Sequence, residues 1–113
     1  MELGTLVTNL ETIFEDETAP HYGANVIAVS SELKSAHLFA STTSGTGAVN
    51  ADLEASNDGS NWFWVGNLTI ATVTTAGVSV AVSVTNAFRF HRINMYGISG
   101  TGCKATAIIS HMD

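Results

Sequence analysis

At 113 residues and 45% hydrophobic side chains, the chain has the size of one domain and enough apolar surface for a core that needs neither disulfide nor metal. Only 12% of its residues are charged, against about 25% in ordinary globular domains, so the surface has to be made largely of Ser, Thr, Asn, Gly and Ala. A net charge of −6 with four Lys plus Arg leaves no basic patch to neutralise phosphates, which argues against nucleic-acid partners and anionic membrane surfaces.

The N-terminal stretch MELGTLVTNLETIF has no basic n-region and no continuous apolar stretch, so it does not read as a signal peptide. No apolar run approaches the ~18 residues of a membrane span. The expectation is a soluble protein that is not routed through a secretory pathway. Residues 1–23 differ in character from the rest. They hold Glu2, Glu11, Glu15, Asp16 and Glu17, half of all the acids, and the single proline, Pro20. Leu3, Leu6, Val7, Leu10 and Phe14 fall at helical spacing and predict a short helix. The same residues suit an extended arm that adds to a neighbour's sheet. FEDETAPHYG reads as loop. The expected division is an N-terminal arm or short helix plus loop over 1–23 and a β-sandwich domain over 24–113.

From residue 24 onward the pattern is period-2. ANVIAV (24–29) and SAHLFAS (35–41) are strand candidates. In AVNADLEA, Val49, Ala51, Leu53 and Ala55 share one face, and Asn50, Asp52 and Glu54 the wet one. SNDGSNW (56–62) follows, with Asp58-Gly59 as a hairpin turn. WFWVGNLTI (62–70) is a strand broken near Gly66. It sends Trp62 and Trp64 to one side and Phe63 to the other, so the aromatics are expected to anchor the sandwich, with Trp62 in the core. VSVAVSV points Val78, Val80, Val82 and Val84 inward. FRFHRINMY changes phase, which calls for a bulge near His91–Arg92 or a central strand buried on both faces. CKATAII is the last strand. SGTG occurs at 44–47 and again at 99–102, each copy leading into a strand; neither is followed by a helix, as a phosphate loop requires. The sum is an all-β chain: an antiparallel sandwich or jelly roll of about seven or eight short strands.

No set of residues marks an enzyme. Cys103 is the one cysteine and reads as a small buried hydrophobe. His21, His37, His91 and His111 are scattered without metal-ligand spacing. Asp52 and Glu54 lie on one strand face, as carboxylates do on any solvated strand, and no nucleophile elbow is present. No cofactor is implied. SNDGSNW offers one carboxylate, too few for Ca²⁺. A carbohydrate fits this stretch better, with Trp64 as platform and Asn57, Asp58 and Asn61 as hydrogen-bonding rim.

LEASNDGSNWFWVGNLTI followed by FRFHRINM resembles the galactose-binding-like sandwich of discoidin-type domains. Ser56, Asn57, Asp58, Gly59 and Trp62 match that group's turn, and Arg89, Phe90, Arg92 and Ile93 its later strand. The same pair of motifs with the Gly-Thr-Gly hairpin and short last strand is similar to small virion proteins of tailed bacteriophages. The short chain, the lack of paired cysteines and the lack of a signal peptide fit the phage group better than a secreted adhesion module. The resemblance implies a virion structural protein made in the host cytoplasm, most specifically a capsid decoration or cement protein. It would bind the major capsid protein or other virion proteins and form a homo-oligomer, with a trimer favoured at threefold positions. Leu6, Leu10, Phe14 and Tyr22 are the expected partner contacts. The alternatives are a carbohydrate-binding module of a tail fibre or cell-surface protein, and a tail or connector subunit.

Overall fold

The computed structural model describes residues 8–23, 25–29 and 32–112, with the side chains of residues 8, 9 and 112 left out. Ten strands follow in chain order: β1 (Thr8–Glu17), β2 (His21–Tyr22), β3 (Ile27–Ala28), β4 (Leu33–Ser41) and β5 (Ser44–Ser56), then β6 (Phe63–Asn67), β7 (Ile70–Val73), β8 (Val78–Thr85), β9 (Phe90–Thr101) and β10 (Lys104–Met112). Every pairing is antiparallel. Sheet A runs β1-β10-β4-β8 and sheet B runs β2-β9-β5-β6, with β3 on β9 and β7 on β5. The chain is all-β, and the two sheets enclose one core.

The period-2 pattern sets which face is dry. Val49, Ala51, Leu53 and Ala55 of β5 and Ile93 and Met95 of β9 are buried, opposite Ala36, Leu38 and Ala40 of β4 and Ala105, Ala107 and Ile109 of β10. β8 alternates as expected: Val78, Val80, Val82 and Val84 pack against the core while Ser79, Ala81 and Ser83 face out. The small alanines let the sheets approach closely. Gly66, inside β6, sits where a Cβ would come within 3.1 Å of Val82 of the facing sheet. The break expected at Gly66 falls later, at Leu68–Thr69, where the chain passes from β6 to β7 and Leu68 drops into the core.

β9 has no bulge at His91–Arg92. The ladder with β5 runs unbroken from Ser56↔Phe90 to Ala51↔Met95, and the irregularity comes at Asn50↔Gly97, which leaves Tyr96 as the extra residue. His91 is inward and fully buried; Arg92 is outward. The expectation of a strand buried on both faces also fails, because Arg92 and Asn94 stay partly open.

The N-terminal segment is the main correction. Residues 8–17 are neither helix nor free arm: β1 is the edge strand of sheet A, paired with β10 from Thr8↔Met112 to Glu17↔Ala105. A bulge between Thr12 and Phe14 turns two consecutive side chains, Ile13 and Phe14, into the core. Of the residues whose spacing suggested a helix, Leu10 and Phe14 lie in this strand, and Leu3, Leu6 and Val7 lie outside the described residues. Asn25 Nδ2 donates to the Ile13 carbonyl at 2.7 Å, and the Phe14 ring lies 4.8 Å from His21. His21–Tyr22, expected as loop, pairs with β9.

The two SGTG copies meet. Ser44 pairs with Thr101 and Ala48 with Ser99, so one copy opens β5 where the other closes β9. Gly100 has φ +117°, and a Cβ there would lie 2.7 Å from Gly47 Cα. The repeat is one backbone-to-backbone contact that only glycines can make.

The opposite pole of the sandwich holds buried polar groups. Lys34, His91 and His111 are all less than 9% exposed, and the register places His111 opposite Lys34. Lys34 Nζ donates to the Asn86 carbonyl at 2.6 Å and to Asn86 Oδ1 at 3.0 Å. His111 Nε2 lies 3.9 Å from a Glu11 carboxylate oxygen. Desolvation, then the Lys34 and His111 charges, push the His91 pKa down to about 4.

Two outcomes follow. Phe14→Ala should cost about 3–5 kcal/mol in denaturant unfolding, because it empties a core site rather than trimming an arm. For His91, the unfolded chain binds a proton near pH 6.5 and the folded one only near 4, so its contribution is complete above pH 6.5 and is lost as pH falls towards 4. A shift of that size corresponds to about 3 kcal/mol. The Tm should therefore drop across that window, and His91→Leu should flatten the drop.

Candidate functional site

The stretch SNDGSNW joins β5 to β6 and turns almost entirely on itself. Asp58 Oδ1 accepts from the backbone N–H groups of Ser60 and Asn61, both at 2.8 Å, and from the Ser56 hydroxyl at 2.9 Å. Asp58 Oδ2 accepts from Asn61 Nδ2 at 2.7 Å. Ser56 Oγ in turn accepts from the N–H groups of Asp58 and Gly59. Gly59, at φ +77°, supplies the left-handed residue of the turn. The Asn61 and Ser60 backbone donors, then the Asn61 and Ser56 side chains, hold the Asp58 carboxyl well below the usual carboxylate range. Three of the polar residues expected to rim a sugar therefore lie in a turn in which Asp58 and Asn61 bond each other; Asn57 is exposed beside them.

Trp64 is elsewhere. It is 61% exposed on the outer face of sheet B, and its indole Nε1 donates to Asp52 Oδ1 at 3.2 Å. The same oxygen accepts from Asn67 Nδ2 at 3.0 Å. Trp64 pairs with Glu54, two residues along β5 from Asp52, so the indole has to reach along the strand to make this bond. Trp62 is half-buried on the same face, not in the core. The Arg92 guanidinium lies 4.2 Å from its ring centre, and Arg92 Nε donates to Glu54 at 2.7 Å. Phe63 takes the other side, as the alternation requires, but stays 41% exposed and packs edge-on against Phe88 at 4.5 Å. The two indoles line the outside of the sheet at its edge, and Phe63 lies on the opposite side. Their spacing showed their sides; which side was dry depended on the partner sheet.

The register extends this face across four strands. Tyr22 lies opposite Asn94, Asn94 opposite Asp52, and Asp52 opposite Asn67. Tyr22 is 69% and Tyr96 46% exposed. The face thus alternates aromatic rings with amides and carboxylates. Sequence patterning could have found Asp52, Asn94 and Asn67 only with the register in hand.

The outer face of sheet A is chemically different. Its outward positions on β4, β8 and β10 are Leu33, His37, Phe39, Ile108 and a set of Ser, Thr and Ala, with Lys104 alone carrying a permanent charge, at the β10 end. Of the expected partner contacts, Leu10 lies at the edge of this sheet, 70% exposed, and Tyr22 belongs to sheet B. Phe14 is core, and Leu6 lies outside the described residues. They do not form one patch. Among the described residues, no group of three or more His, Cys, Asp or Glu is placed to hold a metal ion.

No protein-family model and no curated protein matches the chain. Solved structures do. The fold superposes on the SPBc2 prophage-derived protein YomS with a TM-score of 0.64 at 9% identity, covering 100% of this chain and 99% of that one. The PBSX exported protein XepA matches with a TM-score of 0.50 at 13% identity, over 92% of this chain and 36% of its own length. The N-terminal cellulose-binding domain of a Cellulomonas fimi β-1,4-glucanase C superposes more loosely, with a TM-score of 0.45 at 13% identity. At these identities the likenesses to YomS and XepA show a shared fold alone.

Asp58→Ala should lower the Tm at neutral pH by removing the acceptor of four turn hydrogen bonds. Because its folded pKa is depressed, the gap to the parent protein should narrow as pH falls below about 4.

Proposed function

We propose that this chain is a non-catalytic structural protein of a bacteriophage particle and works by binding alone. The observation that carries the reading is the end-to-end superposition on a prophage-derived protein, 100% of one chain on 99% of the other. The chemistry agrees with it. No catalytic constellation gathers among the described residues; the titratable groups that burial perturbs, Lys34, His91 and Cys103, sit inside the sandwich rather than in an open cleft.

Within that class we take the protein as a decoration, or cement, protein of the capsid. Its support is the outer face that β4, β8 and β10 form in sheet A. A nearly uncharged surface can be covered by a shell protein without stripping water from ions, the step that makes burying charge costly. β1 adds an edge whose far side has no strand partner among the described residues, suited to strand addition by a neighbour. Many weak contacts of this kind sum over a shell. A second reading, a carbohydrate-binding module, is favoured by one observation: Trp64 is exposed and hydrogen-bonded to Asp52 rather than buried.

Quantitative mass spectrometry of purified particles from the source phage tests the first reading. The expected result is a copy number that scales with the major capsid protein. A handful of copies per particle would move the protein to the tail or connector, and absence from particles would overturn the reading.

A further inference from the structure

We propose that the outer face of sheet B, from Trp64 across to Tyr22, binds a neutral oligosaccharide, with Trp64 as the stacking platform. This rests on the carbohydrate reading and places it on residues away from the SNDGSNW turn. Trp64 presents an indole 61% open to solvent, and its N–H is already bonded to Asp52, which fixes the ring and leaves a π-face for the C–H side of a sugar. Asp52, Asn67 and Asn94 follow in one cross-strand row that ends at the exposed ring of Tyr22, with Tyr96 beside it. Three strand spacings make that row about 14 Å long, room for several sugar rings. Asn67 is bonded to Asp52 and Thr69 and Asn94 Oδ1 is buried, so the Asp52 carboxylate is the acceptor the row presents to hydroxyls.

The charge pattern selects the ligand. Asp52 and Glu54 are the acids of the face; Arg92 is held by Glu54 and by the Trp62 ring, and Arg89 lies over the Phe90 ring, beyond the row. An anionic polymer laid along the row would meet the Asp52 carboxylate; neutral hydroxyls can bond it. A second copy of the chain is a poorer occupant. Stacking this face on another protein would bury Asp52 and Glu54 under a partner that itself carries −6.

The test uses the full chain with a panel of short neutral oligosaccharides built on glucose, xylose, galactose and N-acetylglucosamine, followed by tryptophan fluorescence and calorimetry. The expected result is that at least one binds. Trp64→Ala should weaken it about tenfold or more, the equivalent of ~1.4 kcal/mol. Tyr22→Ala should weaken it less, and Phe39→Ala, on the opposite sheet, should leave it unchanged. Circular dichroism and Tm verify folding; if Trp64→Ala is unfolded, Asp52→Ala takes its place, with the same loss expected. Binding that survives these changes would put the sugar elsewhere and overturn this face while the carbohydrate reading stands. Absence of binding to every oligosaccharide would overturn both. If sedimentation shows an oligomer that Trp64→Ala dissolves, the face belongs to a second copy and the proposal fails.

Discussion

The ladder between β5 and β9 is the constraint on which the rest of the molecule depends. These are the two longest strands, they lie side by side in the middle of sheet B, and their register runs from Ser44↔Thr101 to Ser56↔Phe90. One register does three things at once. It turns Val49, Ala51, Leu53, Ile93 and Met95 into the core; a slip by one residue would exchange them for Asp52, Glu54, Arg92 and Asn94. It presses the two Gly-rich ends together, where Gly47 and Gly100 leave no room for a side chain. It also sets Glu54 beside Arg92 and Asp52 beside Asn94, which composes the polar row of the outer face.

Around that ladder the sandwich has two unlike outer surfaces. Sheet B exposes rings interleaved with amides and acids, and its few charges are tied down within the face. In sheet A, β4, β8 and β10 expose hydroxyls, alanine and a few large apolar groups, with Lys104 as their permanent charge, while the edge strand β1 carries the exposed Glu11, Glu15 and Asp16. The poles are specialised too. One is a tight glycine contact, and the other is a polar pocket in which Lys34 is satisfied by Asn86 and His91 is held neutral by burial.

Where alternation was strict, the sequence was legible. β5 and β8 followed their period-2 patterns, Asp58-Gly59 formed its turn, and Cys103 lay inside as a small apolar group. It misled where a bulge breaks the period. Ile13 and Phe14 both point inward because β1 gains a residue there, so strict alternation does not show in this strand. The aromatic triplet failed for a different reason. Alternation sorted Trp62 and Trp64 from Phe63, but β6 is an edge strand, and the side carrying the indoles has no sheet above it.

By itself, then, the sequence determined the fold class, the inward residues of the regular strands and the turn chemistry, because these depend on periods and dihedral preferences that act within a few residues. Only the tertiary structure decided that residues 8–17 form an edge strand with Ile13 and Phe14 in the core, that the two SGTG copies touch, and that Trp64, Asp52, Asn94 and Tyr22 share a face. Those facts depend on register between strands far apart in the chain, and register is selected by the packing of the whole sandwich.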